Sequence, residues 1–581
     1  MSDQILLNTE KDIPYQPISL GSMEWNKTGT WRYLRPRFDN KVSPCNEGCP
    51  AGQDIEAAMV LIGKGRVLEA WDLFKEENPF PGVCGRVCYH PCESSCNRAE
   101  FDEAVSINAL ERFMADTAFK HGRRVGLKRE KKKEKVAIIG SGPAGLTCAY
   151  HLARLGYGAT VFEALPVLGG MLRVGIPEYR LPKKVLEAEI DQILEMGVNT
   201  EINTRFGENL LQKDLKEYAA VFLALGNHVS KRLGIPGEDG DWAMSGVEFL
   251  RKIGLGKEVS LGKRVVIIGG GNTAIDTART AQRLGAKPSI LYRRTREEMP
   301  AFPAEIHEAE EEGIDISFLV SPVRLFLEDG VKKLECVKNR LGPPDEDGRR
   351  RPVEVKGSNF LLEVDQVFTA IGEDADLTAL PKKIGIENHA IPTDERGATK
   401  QEGVFAGGDI IQQPHTVVHA IGSGKRAAIF IDCFLQNKKW ERVFDAVRIG
   451  ERGSLSMRRY LLDEKEWETK STKTVRLQDL NLDYFEPKKR KRPTKAPMAK
   501  RQGTFEEVNI GFPEETAVAE AQRCFNCGVC NLCDNCYIFC PDVAIRKENG
   551  NNVIDYDHCK GCGICVEECP RDAMIMEEEG R

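Results

Sequence analysis

The chain is 581 residues long, several times the usual single-domain size, so about three to five domains are expected, each burying its own core. Its 82 basic and 88 acidic residues leave a formal net charge of −6, which excludes a global electrostatic footprint for nucleic acid or an anionic membrane. No apolar run reaches the roughly 18 residues of a membrane span, and the opening MSDQILLNTEKDIPYQP lacks the basic and apolar regions of a secretory signal. A cytoplasmic protein with no nucleic-acid and no membrane partner is therefore expected.

In chain order, residues 1–44 show no sustained period and are expected to wrap a neighbouring domain. Val67, Ala70, Trp71 and Phe74 recur at helical spacing, so a helical domain is expected over 1–134. The basic stretch KHGRRVGLKREKKKEK closes it near residue 135 and reads as a solvated linker. From 136 to 435 short β-branched runs (VAIIG, ATVFE, VVIIGG, SILYRR, GVFAGGD) alternate with helical stretches, the pattern of parallel sheets with crossover helices. Two glycine-rich turns imply two nucleotide-binding domains, one over 135–250 and 366–435, the other over 251–365. Residues 436–518, which include EPKKRKRPTKAPMAKRQG, read as a charged tether, and 519–581 as a cysteine-dense module.

Nineteen cysteines in a small secreted domain would suggest a disulfide framework, but in a large chain they point to metal or redox work. Six lie between Cys45 and Cys96 and ten between Cys524 and Cys569, with only Cys148, Cys336 and Cys433 between. Thiols so segregated are ligand sets. Cys530, Cys533, Cys536 and Cys540-Pro541 spell C-x2-C-x2-C-x3-C-P, and Cys559, Cys562, Cys565 and Cys569-Pro570 repeat it. In this bacterial-ferredoxin spacing three cysteines hold one cube and the fourth reaches to its twin. One cluster is thus expected on Cys530, Cys533, Cys536 and Cys569, the other on Cys559, Cys562, Cys565 and Cys540. A pair of zinc knuckles would not require two complete, proline-terminated copies.

The first glycine turn places Gly140, Gly142, Pro143, Ala144 and Gly145 between a strand and a helix, with Glu163 at the end of the next strand. The glycines admit a pyrophosphate at a helix N-terminus and Glu163 suits a ribose hydroxyl. GVFAGGD sets Gly408 and Asp409 after a strand, as FAD enzymes of this architecture do near the ribityl chain, and a helix beginning near Thr416 is expected by the flavin's pyrimidine end. The second turn, Gly269, Gly271, Asn272 and Thr273, is followed by a strand ending in Arg293 and Arg294. These cations favour the 2′-phosphate of NADP(H) over NAD(H).

Together GSGPAG, GGMLRVGIPEYRLP at 169–182 (with Gly170 and Arg180), GGGNTA, YRRTREEMPA and GVFAGGD resemble the small subunit of bacterial glutamate synthase. The N-terminal half of dihydropyrimidine dehydrogenase is similar. The resemblance spans roughly residues 40–435 and implies a multidomain α/β protein. Its parts are an N-terminal helical iron–sulfur domain and two Rossmann-like domains for FAD and NAD(P)H, adrenodoxin-reductase-like, here followed by an α+β bacterial-type ferredoxin. It also implies that Cys49, Cys88 and Cys92 share a cluster whose fourth ligand aligns with Glu111, Cys84 being either a spare thiol or the replacement for Glu111. Cys45 and Cys96 then belong to another cluster, but the family's A-x-R-C-x2-C-G pair is missing upstream. The same text occurs at Ala519–Gly528, so Cys524 and Cys527 are expected to complete that set.

The expected function is an NAD(P)H:acceptor oxidoreductase carrying electrons between NAD(P)H, FAD and [4Fe–4S] clusters, to or from a ferredoxin or a partner redox enzyme. Hydride donors carry two electrons and clusters one, so a flavin must stand between. The alternative is an electron-transfer subunit of a larger complex, of the glutamate synthase, sulfite reductase or 2-oxoacid or aryl-CoA reductase kind. No side chain is nominated as a catalytic acid or base. A disulfide reductase would need a close cysteine pair by the flavin, and Cys148, Cys336 and Cys433 are isolated. A domain-swapped homodimer could supply Cys524 and Cys527 from a second chain.

Overall fold

The structure, a computed structural model, describes residues 27–126, 130–345, 348–462, 467 and 471–579. The irregular stretch expected over 1–26 and the middle of the basic linker, 127–129, lie outside the described residues. The chain divides into two compact units, one formed by residues 45–469 and 489–524, the other by residues up to 44, 470–488 and from 525 onward.

In the larger unit, the first cysteine group is set among short helices: Cys45 on Pro44–Glu47, Cys84 on Pro81–Val87 and Cys92 on Pro91–Ser94, packed with Ile55–Gly63, Val67–Lys75 and Ile107–Lys120. Val67, Ala70, Trp71 and Phe74 are the buried stripe of their helix. The first dinucleotide domain is a five-stranded parallel sheet in the order Val404–Ala406, Ala220–Leu223, Lys135–Ile139, Gly158–Phe162, Asn199–Glu201. The second repeats the design in the order Asp315–Phe318, Lys287–Tyr292, Arg264–Ile268, Gln366–Thr369, Ala243–Ser245. It adds an antiparallel arm, Val320–Glu328, Val331–Pro344, Arg350–Glu354 and Phe360–Glu363.

Helix Val417–Leu435 is buried nearly all round because it runs between two backbones. A Cβ on Gly422 would stand 2.2 Å from the Pro50 carbonyl oxygen, and one on Gly424 2.2 Å from that of Ala144. Two helical glycines, each costing about 1 kcal/mol of propensity, thus bring the Cys49 loop and the first glycine turn against the same helix.

The expected tether is ordered over most of its length. Lys495 pairs with Glu308 and Glu311, each at 3.2 Å, and Arg501 with Glu311 at 2.9 Å. Glu507 receives Arg86 at 2.8 Å and Arg112 at 3.0 Å, and the Val508 amide donates to the Tyr179 carbonyl at 3.0 Å. Residues 489–524 therefore strap both dinucleotide domains and the cysteine-bearing helices. A run of like charge reads locally as solvated; its countercharges lie in other domains.

In the smaller unit the hairpin Ile545–Glu548 and Asn551–Ile554 is joined by an antiparallel pair, Leu34–Phe38 with Met574–Glu578. Arg35 and Arg37 both bond Glu577, at 2.8 and 2.6 Å. Residues 27–44, expected within the N-terminal helical domain, thus complete the ferredoxin module instead.

Candidate functional site

The first glycine turn opens on a cavity lined by Gly142, Glu163, Gly170, Gly408, Asp409 and Thr416, among others. Gly140 takes φ +107° and has no room for a Cβ, which would meet the Ala224 carbonyl oxygen at 2.3 Å, whereas a Cβ at Gly142 would meet nothing within 4 Å. One glycine serves the close strand contact and the next leaves space for a ligand. Pro143 and Ala144 begin helix Pro143–Arg154, whose N-terminus faces the cavity. Ligand phosphate is favoured there by unpaired amides and the helix dipole. Glu163 accepts the Ser141 amide at 2.9 Å and the Leu165 amide at 2.8 Å, so its carboxylate braces the turn as well as lining the cavity. Thr416 caps the 19-residue helix Val417–Leu435, and burial raises the Asp409 carboxyl beside His415. The glycine backbones, the acid at the strand end and the helix ends fit a flavin dinucleotide.

Two expected site residues are placed otherwise. Arg180 does not line that cavity; it is half-buried and pairs with Asp276 at 2.6 Å and Glu305 at 3.1 Å, latching the first dinucleotide domain to helix Asn272–Arg283 of the second. Arg294 is 3% exposed, paired with Asp345 and donating to the Arg350 carbonyl at 2.8 Å, so the antiparallel arm consumes it. A carboxylate 51 residues downstream of Arg294 decides this, which no motif shows. Arg293 stays exposed at the strand end. At the second turn Gly271 has open space where a Cβ would be, Asn272 Oδ1 accepts the Phe302 amide at 3.1 Å, and Thr273 hydrogen-bonds Glu373.

The N-terminal thiols Cys49, Cys88 and Cys92 are buried and close enough to one another and to Glu111 to perturb each other's charge. Burial pushes the Cys49 thiol up to about 11 and the Glu111 carboxyl up to about 8. A dry group of acids of this kind needs a cation to ionise, which cluster iron supplies. Burial raises the Cys96 thiol, and backbone amides of Val105, Arg98 and Ala99 offset that only in part. Cys45 is buried in the same unit.

Of the relocated motif, Arg523 is buried and donates to Glu520 at 2.7 Å and to the Glu103 carbonyl at 2.7 Å, while Arg98 donates to the Arg523 carbonyl at 2.6 Å. Cys524 is thereby carried back to the segment that follows Cys96. Cys527 belongs to the smaller unit.

In the smaller unit Cys530, Cys533, Cys536 and Cys569 line one cavity. Burial pushes the Cys565 thiol up to about 12, with Cys559, Cys562, Cys536 and Cys540 near enough to add to the shift. Cys569 of the second motif thus lies with the first three thiols of the other, as the crossed pairing expects. Among the described residues no three of His, Cys, Asp and Glu converge as for a single metal ion. Cys148, Cys336 and Cys433 are buried apart in apolar cores.

Sequence reasoning missed Gln53, which bonds Glu111, and the buried Lys425, which donates to Glu77 at 2.6 Å and to the Ala51 carbonyl. For Lys425 a signal existed: it follows two glycines inside a long helix, a break in propensity that marks a close approach.

The fold and site define the class, and the chain belongs to the pyridine nucleotide-disulphide oxidoreductase family, whose profile matches residues 134–424. Dihydropyrimidine dehydrogenase domain II, 4Fe-4S cluster, matches 38–123, and the 4Fe-4S binding domain matches 552–575. The chain is 42% identical over 517 residues to the NADP(+)-dependent formate dehydrogenase subunit beta of Moorella thermoacetica, covering 84% of this chain and 70% of that one. It is 39% identical over 528 residues to the NADPH-Fe(3+) oxidoreductase subunit beta of Geobacter sulfurreducens (84% and 76%). Against the glutamate synthase [NADPH] small chain of Halomonas elongata it is 38% identical over 405 residues (66% and 86%). Among solved structures FprA from Mycobacterium tuberculosis overlaps 53% of this chain and 85% of its own, at 20% identity and TM-score 0.46. The protein is thus an NAD(P)H-dependent iron–sulfur flavoprotein oxidoreductase that uses FAD and [4Fe–4S] clusters. Among the described residues no helix is long and apolar enough to cross a membrane.

Proposed function

We propose that the protein works as the NADPH-linked subunit of a redox complex whose partner docks on the smaller unit. Flavin chemistry, when FAD is bound, converts a two-electron hydride donor into single-electron transfers that clusters accept. The chain's residues do the rest. The first glycine turn, Glu163 and the capped helix at Thr416 hold and orient the flavin, the second turn and Arg293 hold the nicotinamide dinucleotide, and the cysteine sets hold the clusters.

One observation carries the docking reading. The cysteines of the N-terminal group are buried or half-buried, whereas Cys533 and Cys562 in the smaller unit are exposed. Their chain neighbourhoods expose apolar side chains as well, Leu532, Ile538, Phe539, Val543 and Ile564, with Ile538 and Val543 each 68% exposed. Exposed apolar groups beside surface ligands mark an interaction face. The names of the relatives, subunit beta in two and small chain in a third, favour work within an assembly.

In the full-length holoprotein, Ile538→Glu with Val543→Glu should slow NADPH-driven reduction of a separate two-cluster ferredoxin, used as the probe, by ~10-fold, the scale of a lost apolar contact pair. Bleaching of the flavin by NADPH should be unchanged. Equal rates in both proteins would exclude this face. We also propose that Cys45, Cys96, Cys524 and Cys527 form one ligand set, supported by the motif and by the anchored Arg523. Cys524→Ala with Cys527→Ala should then lose about four irons per chain, the content of one cube, in monomeric and dimeric fractions alike, and unchanged iron would refute it.

A further inference from the structure

The loop that carries Cys49 is fixed by contacts at both of its ends. Asn46 Oδ1 accepts the amides of Ile55 at 2.8 Å and Glu56 at 3.1 Å, fixing the start of helix Ile55–Gly63. Gly52, at φ +63°, closes the preceding turn by donating its N–H to the Cys49 carbonyl at 2.8 Å. From the other side Lys425 clamps the loop through the Ala51 carbonyl, and a Cβ on Gly52 would stand 2.8 Å from its Nζ. The loop cannot shift without breaking one of these contacts.

Gln53 follows directly and is 3% exposed. Its Nε2 donates to Glu111 Oε1 at 2.9 Å, and its Oε1 accepts from Cys49 Sγ at 3.4 Å. One side chain therefore bridges a thiol and the carboxylate of the set Cys49, Cys88, Cys92 and Glu111. The rival fourth ligand, Cys84, is 1% exposed and its sulfur accepts from Asn78 Nδ2 at 3.5 Å.

We propose that Gln53 is the positioning residue that selects Glu111 over Cys84 as the fourth ligand of the buried iron–sulfur cluster. With one oxygen fixed by the amide, the carboxylate rotamer is set and its second oxygen is left to bind iron. The amide donates to the carboxylate, so it takes up one oxygen as an acceptor and competes for no further proton. Such outer partners orient the ligand and typically govern metal affinity by 10–100-fold. The inference rests on the reading that Cys49, Cys88 and Cys92 hold a cluster.

The test uses anaerobically purified full-length protein with three readouts: the EPR spectrum of the reduced clusters, the potential of each signal, and the rate at which ferricyanide produces a three-iron signal. Gln53→Leu should keep FAD and total iron, shift the spectrum and potential of one cluster, and speed three-iron formation by ~10-fold. Glu111→Cys should shift the same signal, and adding Gln53→Leu to it should change nothing further, since a thiolate needs no amide to orient it.

A native spectrum, potential and rate in Gln53→Leu would overturn the proposal. So would an equal further change in the Glu111→Cys background, which would make the role structural, or loss of the cluster in Cys84→Ala with no shift in Glu111→Cys. If Cys49→Ala loses no iron, the underlying ligand reading fails instead.

Discussion

The two dinucleotide turns use one backbone device and different side chains. Ile139 lies opposite Phe162 in the first sheet and Ile268 opposite Leu291 in the second, so Glu163 and Tyr292 occupy the same place at the end of the neighbouring strand. Gly140 and Gly269 both take positive φ, +107° and +146°, and both press a carbonyl of the adjoining segment. Gly142 and Gly271 both face open space. Two positions differ. Gly145 has no room for a methyl group, since a Cβ would stand 1.9 Å from the Gly140 carbonyl oxygen, yet its counterpart Ala274 is fully buried and accommodated. At the strand ends Glu163 offers an acid, whereas Tyr292 turns its hydroxyl to the Glu298 carbonyl at 2.6 Å and leaves the exposed Arg293 beside it. The repeated backbone thus offers the same open turn twice, and the proposed choice of ribose or phosphorylated ribose rests on the few side chains that differ.

The sharpest way to break this comparison is to exchange the differing helix positions. Gly145→Ala forces a methyl into backbone and should cost about 1–3 kcal/mol, with most of the protein isolated free of FAD by its absorbance. Ala274→Gly should cost only about 1 kcal/mol and keep both FAD and NADPH binding.

On a similar scale, Arg293→Glu removes a charge-assisted bond worth about 1.5–3 kcal/mol, so the ratio of kcat/KM for NADPH to that for NADH should fall by ~10–100-fold. Arg294→Gln should instead lower the melting temperature and leave that ratio within about twofold, because its partner is Asp345. A ratio that follows Arg294 and ignores Arg293 would reverse the assignment.

The smallest effects lie at the matched strand ends. Glu163→Gln weakens the braces to Ser141 and Leu165 and should raise the FAD dissociation constant by ~10-fold, about 1.4 kcal/mol. Tyr292→Phe loses one neutral hydrogen bond, about 1 kcal/mol, and should leave the cofactor preference untouched in a direct NADPH and NADH comparison.

The sequence by itself determined the parts. Short-range spacing carries its own chemistry, so the two C-x2-C-x2-C-x3-C-P motifs, the two glycine turns and the acid or cation at each strand end could be read from neighbouring letters. The resemblance supplied Glu111, which no spacing links to Cys49. What the tertiary structure decided are pairings between distant segments. The run read as a tether became a strap because Glu308, Glu311, Arg86 and Arg112 hold its charges. Residues 34–38 joined the ferredoxin because their strand partner lies at the other end of the chain. Arg180 and Arg294 left the cofactor sites because acids distant in sequence, Asp276 and Asp345, claimed them, and Gln53 gained a role only where folding set its amide between Cys49 and Glu111. A side chain's charge and hydrogen bonds are local properties, but the partner that satisfies them is chosen by packing, and packing is long-range in sequence.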